Sequence, residues 1–136
     1  MPITIGYVEL TYAKENNLPV AVVKNRAGNY VEPTPEGTTA AIEAFSNELG
    51  QDVRKPIVDP PATAKDAYPI AGLTYLLIPK EPKDANKKQV LKDFVHYVIT
   101  SGQDAAQQLS YAKLPESLQQ QDEKLINELA QTQEQK

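Results

Sequence analysis

Ile5-Gly6-Tyr7-Val8-Glu9 has the make-up of a buried strand, and it runs at once into a helical stretch at residues 10–17. A strand this apolar belongs in the middle of a sheet, with covering layers on both faces. It begins a few residues after Met1, with nothing before it to supply neighbouring strands. The expectation is a chain that corresponds to the later part of something larger.

Further along, residues 20–24 are rich in β-branched side chains and bounded by turn residues, so they read as a strand. The turn Asn25-Arg26-Ala27-Gly28-Asn29 lets Tyr30-Val31 pair back as a hairpin. Thr34-Pro35-Glu36 is a helix start, with a capping hydroxyl, proline at the first helical position and an acid in the first turn. That helix is expected to run to Leu49, with Ala41, Ile42, Phe45 and Leu49 on one face and Gly50 as its stop. Prolines 56, 60, 61 and 69 rule out a continuous helix or a central strand over residues 52–69. Such a stretch suits a crossing between lobes.

Residues 70–78 form the second strong strand candidate, since residues 73–78 are apolar on both faces apart from Thr74. A long helix is predicted from Pro82, stopped by Gly102. Its buried stripe is Val90, Leu91, Phe94 and Val98, and Val95 and Ile99 widen it enough that more than one face should be covered. Residues 104–109 form another short helix. Leu114-Pro115 opens the last one, with Leu118, Leu125 and Leu129 on one face. Strands alternate with helices early and helices dominate late, which is an α/β pattern. Two strong strands are too few for a parallel sheet buried on both faces.

Composition removes several functions. The 136 residues suffice for one ordinary domain, and 40% are apolar. A formal net charge of −4 argues against nucleic acid, because phosphate contacts need clustered Lys and Arg. The absence of cysteine removes disulfides, thiolate catalysis and Cys-ligated metals. No apolar stretch approaches the roughly 20 residues of a membrane span. No basic-then-apolar leader is present, so an export signal is expected to have been removed or to lie upstream.

Chemistry is sparse. His96, the one histidine, lacks a second His or a paired Asp at ligand spacing and reads as a surface or satisfied packing residue. Glu15, Glu32, Glu36, Asp59 and Asp66 are scattered, and no acid–base pair emerges from them. Thr38-Thr39 lies just inside a helix start; capping is the expected role, with anion binding the alternative. Lys83, Lys87 and Lys88 read as a solvated helix face. Tyr7 and Glu9 end a strand, and ligands of open α/β sheets gather at the carboxyl ends of strands. They are therefore the cleft candidates. Nothing here makes an enzyme, and no cofactor or metal site is expected.

Several segments together resemble a known family. Residues 5–9, Ala13-Lys14 and residues 16–18 come first. Asn25 with Ala27-Gly28, Val31 and Pro33-Thr34 come next, followed by Asp66-Ala67-Tyr68-Pro69-Ile70 before an apolar run. Gly102, Ala105, Leu109, Tyr111-Ala112 and Leu114-Pro115 complete the set. In this order they resemble the C-terminal part of the PstS-type phosphate-binding protein of the bacterial phosphate ABC transporter. The likeness extends over nearly the whole chain.

The resemblance implies a partial type II periplasmic-binding-protein fold: the later part of the second lobe at residues 1–62, an inter-lobe crossover at 63–69, and the C-terminal part of the first lobe at 70–136. It implies a periplasmic or cell-surface solute-binding protein that clamps phosphate between lobes and delivers it to a membrane permease. The family's phosphate ligands are hydroxyls, backbone N–H groups, an Asp and an Arg, drawn mainly from earlier motifs that include a Ser-Gly-Thr type loop. Those motifs have no counterpart here. The two arginines, Arg26 and Arg54, lie outside the family's Arg-and-Ser/Thr context, so no phosphate ligand is carried over. Phosphate binding is expected only with the N-terminal part supplied. The alternative is a stand-alone interaction module that dimerises through its exposed strands.

Overall fold

Helix signals in this sequence are local, so most of them survive in the tertiary structure, whereas the strand signals depend on partners. The structure is a computed structural model describing residues 4–79 and 85–131. Its elements are α1 (Leu10–Glu15), β1 (Val23–Lys24), β2 (Tyr30–Val31), α2 (Pro35–Ala44), α3 (Ser46–Gln51), α4 (Ala85–Ile99), α5 (Gly102–Gln108) and α6 (Glu116–Gln131). Mixed helix with a small sheet is compatible with an α/β class.

Helix α1 ends as the Asn16-Asn17 pair suggests. Asn17 adopts φ 50°, and the Leu18 N–H donates to the Ala13 carbonyl at 2.9 Å while Asn17 N–H reaches Lys14 at 3.2 Å. This is the Schellman arrangement, with asparagine tolerating the left-handed position. β1 and β2 form an antiparallel hairpin pairing Val23 with Val31 and Lys24 with Tyr30. Gly28, at φ 91°, closes its three-residue loop, where a side chain would be strained. Helix α2 starts at Pro35, and the Thr34 hydroxyl accepts a hydrogen bond from Gly37 N–H at 3.0 Å.

Four helical expectations need correction. The helix from Pro35 does not run unbroken to Leu49. Phe45 leaves helical geometry at φ −111°, ψ 13°, and α3 follows to Gln51 with Gly50 inside it. The break lets Phe45 turn onto the same core as Ile42 and Leu49. Gly102 does not simply end the long helix; α4 stops at Ile99 and Gly102 opens α5. A β-carbon at Gly102 would lie 2.9 Å from the Tyr97 carbonyl oxygen, so only glycine permits the tight joint between the two helices. In α4 the buried line is Val95 and Ile99, with Leu91 packed beside them, while Val90 and Phe94 face outward at 69% and 53% exposure. One face is covered, not several. In α6 Leu118 is buried as expected, but Ile126 takes the inward place given to Leu125. The side chain of Leu129 and the helix start at Pro82 lie outside the described residues.

The core forms two joined clusters. Ile42, Leu49, Ile57 and Leu118 make one, with Phe45, Ala71, Leu73 and Leu114 against them. Val95, Ile99 and Ile126 make the other, with Ile78, Leu91 and Leu114 against them. Leu114 touches both, so α6 and the segment before it hold the two halves together. A buried amide braces this joint. Gln103 donates to the Val98 carbonyl at 2.7 Å and accepts from Leu114 N–H at 2.8 Å, linking α4, α5 and the approach to α6.

Neither of the two strong strand candidates forms a strand. Residues 4–8 and 70–79 carry no ladder, and the sheet of the described residues is β1–β2 alone. A strand is defined by a neighbour's N–H and C=O groups. No other segment among the described residues presents them here.

Candidate functional site

The most densely bonded polar cluster joins the hairpin turn to the loop at residues 63–69. Asn25 is 6% exposed. Its side-chain N–H groups donate to the Lys65 carbonyl at 2.8 Å and the Ala67 carbonyl at 3.2 Å, and its Oδ1 accepts from Asn29 N–H at 3.0 Å. Asn29 adds a second side-chain donor to Lys65, at 3.0 Å. On the other side, Tyr68 N–H donates to the Gly37 carbonyl at 2.9 Å. A β-carbon at Gly37 would press on the Asp66 carbonyl and Tyr68 Cβ at 3.4 Å. The cluster is closed on itself: its donors face backbone carbonyls, and it orders a loop without presenting groups to a ligand. Sequence reasoning assigned Asn25 to a turn and missed its burial. The signal available was an Asn at a turn start, where its amide can reach the backbone on both sides.

Both arginines are already committed to carboxylates. Arg26 pairs with Asp59 at 2.5 Å, and Arg54 holds Asp52 through two contacts of 2.8 and 2.9 Å. The Arg54 side chain and backbone N–H groups bonded to Asp52 bring that carboxyl down to about 2, and the same contact raises the guanidinium. Thr38 donates its hydroxyl to the Thr34 carbonyl, and Thr39 donates to the Lys113 carbonyl at 3.0 Å, so both are spent on the protein. Lys87 is exposed and Lys88 half-buried, while Lys83 lies outside the described residues.

His96 lies on the surface with Nδ1 3.1 Å from Glu123 of α6, a contact between two helices. Among the described residues, no three His, Asp or Glu side chains group as metal ligands. A dent between α2, α3 and α6, lined by Ile42, Leu49 and Gln121 among others, holds about 20 Å³. That is room for roughly one water, not for a tetrahedral oxyanion. The cleft candidates Tyr7 and Glu9 are both exposed, Tyr7 fully; Glu9 is the residue before α1. The structure brings neither of them to a polar partner.

What stands out is uncovered apolar surface. Ile5, Tyr7 and Leu77 are 96%, 100% and 96% exposed, and Val8, Ile70 and Leu76 are more than half exposed. Apolar side chains left bare along extended segments are how an incompletely covered core looks. No helix of the described residues is long and apolar enough to cross a membrane.

No protein-family model matches the chain. Individual relatives do. The phosphate-binding protein PstS of Xylella fastidiosa (strain Temecula1) is 35% identical over 115 residues, covering 85% of this chain and 31% of that protein. PstS of Methanocaldococcus jannaschii is 35% identical over 112 residues, covering 75% of this chain and 28% of that one. PstS of Pasteurella multocida is 30% identical over 115 residues, at 85% and 33%. The chain thus spans about a third of the length of the curated relatives it matches. Similarity at this level over most of the chain identifies it as matching the C-terminal part of a PstS-type phosphate-binding protein.

Proposed function

We propose that this chain is the C-terminal segment of a periplasmic phosphate-binding protein for ABC-type phosphate import, and that it binds phosphate only together with the N-terminal part of such a protein. One observation carries the reading. The PstS match covers 85% of the chain, yet both arginines are engaged by aspartates and no cradle for an anion is present among the described residues. Phosphate recognition rests on charge-assisted donors converging on one point. Those donors must come from elsewhere.

In this reading residues 1–62 complete the second lobe, 63–69 cross between lobes and 70–136 complete the first. The Asn25 cluster, which holds the crossover against the hairpin and α2, then acts as a brace at the hinge. Tyr7 and Glu9 border the cleft between the lobes. The membrane permease of the transporter is the downstream partner. The chain is a binding protein and not an enzyme.

Calorimetry tests this directly. Phosphate titrated into the chain alone should give no saturable heat. Titrated into the chain mixed with the N-terminal remainder of the Xylella fastidiosa protein, it should give binding in the micromolar range or tighter. A complex of the two that gives no heat with phosphate would refute the reading.

The exposed apolar ribbons also favour a second reading, a module that dimerises by strand exchange without binding phosphate. Sedimentation separates them: a folded monomer independent of concentration contradicts dimerisation.

A further inference from the structure

Packing holds helix α1 only weakly. It has six residues, too few to persist unaided, and Ala13 is its one buried residue. Ala13 belongs to neither core cluster. Burying one methyl group contributes little, so polar contacts decide where α1 sits. Two of them join residues 98 and 96 positions apart in the chain. The Thr11 hydroxyl donates to the Leu109 carbonyl at 2.5 Å, and the Lys14 ammonium donates to the Ser110 hydroxyl at 3.2 Å. Thr11 and Lys14 stand three apart, on one face of the helix.

The receiving turn has an unusual occupant. After α5, Ser110 N–H donates to the Gln107 carbonyl and Tyr111 N–H to the Ala106 carbonyl, both at 3.0 Å. This is a Schellman end, in which the left-handed position is ordinarily glycine. Here Ser110 occupies it, at φ 64°, under a conformational strain that glycine avoids. What serine adds at that position is the hydroxyl that meets Lys14. Both long-range bonds are exposed. Together, two such bonds shift an equilibrium by about fivefold to thirtyfold. That is enough to favour contact and little enough to release it. Another joint between the same halves of the chain differs in kind, since Ile42, Leu49 and Ile57 share a buried cluster with Leu118. A joint of that sort stays shut while a polar one opens.

We propose that Thr11 and Lys14 form a releasable clasp with Leu109 and Ser110, a conformational switch that pivots on the shared core. Its role rests on the PstS reading. There α1 belongs to one lobe and the turn at 109–111 to the other. The clasp then favours the closed arrangement and strengthens phosphate binding without touching phosphate. Thr11, Lys14 and Ser110 are positioning residues in this scheme.

Distances between paired spin labels test it without phosphate. The chain has no cysteine, so labels attach only where placed, at Glu15→Cys on α1 and Gln108→Cys on α5, both exposed positions. One short distance should dominate. Thr11→Val combined with Lys14→Met should raise the share of a longer distance about tenfold, with circular dichroism unchanged. Lys14→Arg, which restores a donor, should recover most of what Lys14→Met loses. Ser110→Gly separates the clasp from stability: Tm should rise as the strain is relieved, while the longer distance grows. In the chain mixed with the N-terminal remainder of the Xylella fastidiosa protein, the double variant should weaken phosphate binding about twofold to tenfold. An unchanged distance distribution in the double variant overturns the proposal. So does a released clasp with unchanged phosphate affinity, or a Ser110→Gly chain whose short distance gains along with Tm. If the mixture takes up no phosphate while the double variant still releases α1, the clasp stands and the phosphate reading alone is refuted.

Discussion

Replacing Asn25 by alanine should cost this chain more than any other single change in its loops. The amide makes three hydrogen bonds, to Lys65, Ala67 and Asn29. Lys65 is exposed, so its carbonyl can recover water. Ala67 is fully buried, and its carbonyl would lose the Asn25 donor with no solvent to replace it. An orphaned buried acceptor costs about 1–3 kcal/mol, and each ordinary bond lost about 1 kcal/mol more. The expected total is roughly 3–5 kcal/mol, equivalent to a fall in Tm of roughly 10–17 °C for a chain of this length. Urea unfolding followed by circular dichroism should show a lower midpoint at unchanged slope. Hydrogen exchange should place the loss at residues 25–29 and 64–68. Asn25→Asp sharpens the test, because a carboxylate would face two carbonyls. Its loss should exceed that of alanine at neutral pH and shrink in acid, as the protonated form regains a donor. A change below about 0.5 kcal/mol in Asn25→Ala, with exchange at both loops unaltered, would refute the assignment of Asn25 as the brace.

Three further outcomes are expected. Gly102→Ala should destabilise by about 1–3 kcal/mol in thermal unfolding, although alanine is the better helix former, because its β-carbon meets the Tyr97 carbonyl at 2.9 Å. Asp122 lies on α6 between the buried Leu118 and Ile126, and burial raises its pKa. A raised folded-state pKa means that the folded chain takes up the proton more readily, so the carboxylate costs stability at neutral pH. Asp122→Asn should therefore gain a little at pH 7, less than about 1 kcal/mol for a half-exposed group, and the gain should vanish below pH ~4. In Asp52 the sign is opposite. Its carboxyl, held at about 2 chiefly by the Arg54 side chain, should titrate there by NMR and rise in Arg54→Ala, but stay below the ordinary carboxylate range because the backbone N–H of residue 54 still donates to it.

Several local signals in the sequence held, although the glycine stops expected at Gly50 and Gly102 did not. The Thr34-Pro35 start of α2, the Asn-Asn end of α1 and the hairpin closed by Gly28 are set by groups within a few residues of each other. Signals that needed a third dimension misled. Both apolar faces of α4 look alike in one dimension, and only packing against α6 selects Val95 and Ile99 over Val90 and Phe94. Leu125 and Ile126 differ by one step of 100° around α6, beyond the resolution of periodicity alone. The buried amides of Asn25 and Gln103 gave no sign of their depth, since neither belongs to an apolar pattern.

The kinship with phosphate-binding proteins and the starts of several helices were written in the order of residues. So was the shortage of strands, because apolarity on both faces of residues 3–8 and 70–78 is a statement about composition. Tertiary structure alone decided that these ribbons form no ladder among the described residues, that both arginines are occupied, and that the loop at residues 63–69 is tied to the hairpin through a buried amide. The physical reason is the range of the interactions. Caps and turns are closed by neighbours in the chain, whereas sheet pairing, charge neutralisation and burial depend on groups tens of residues away, or on another polypeptide.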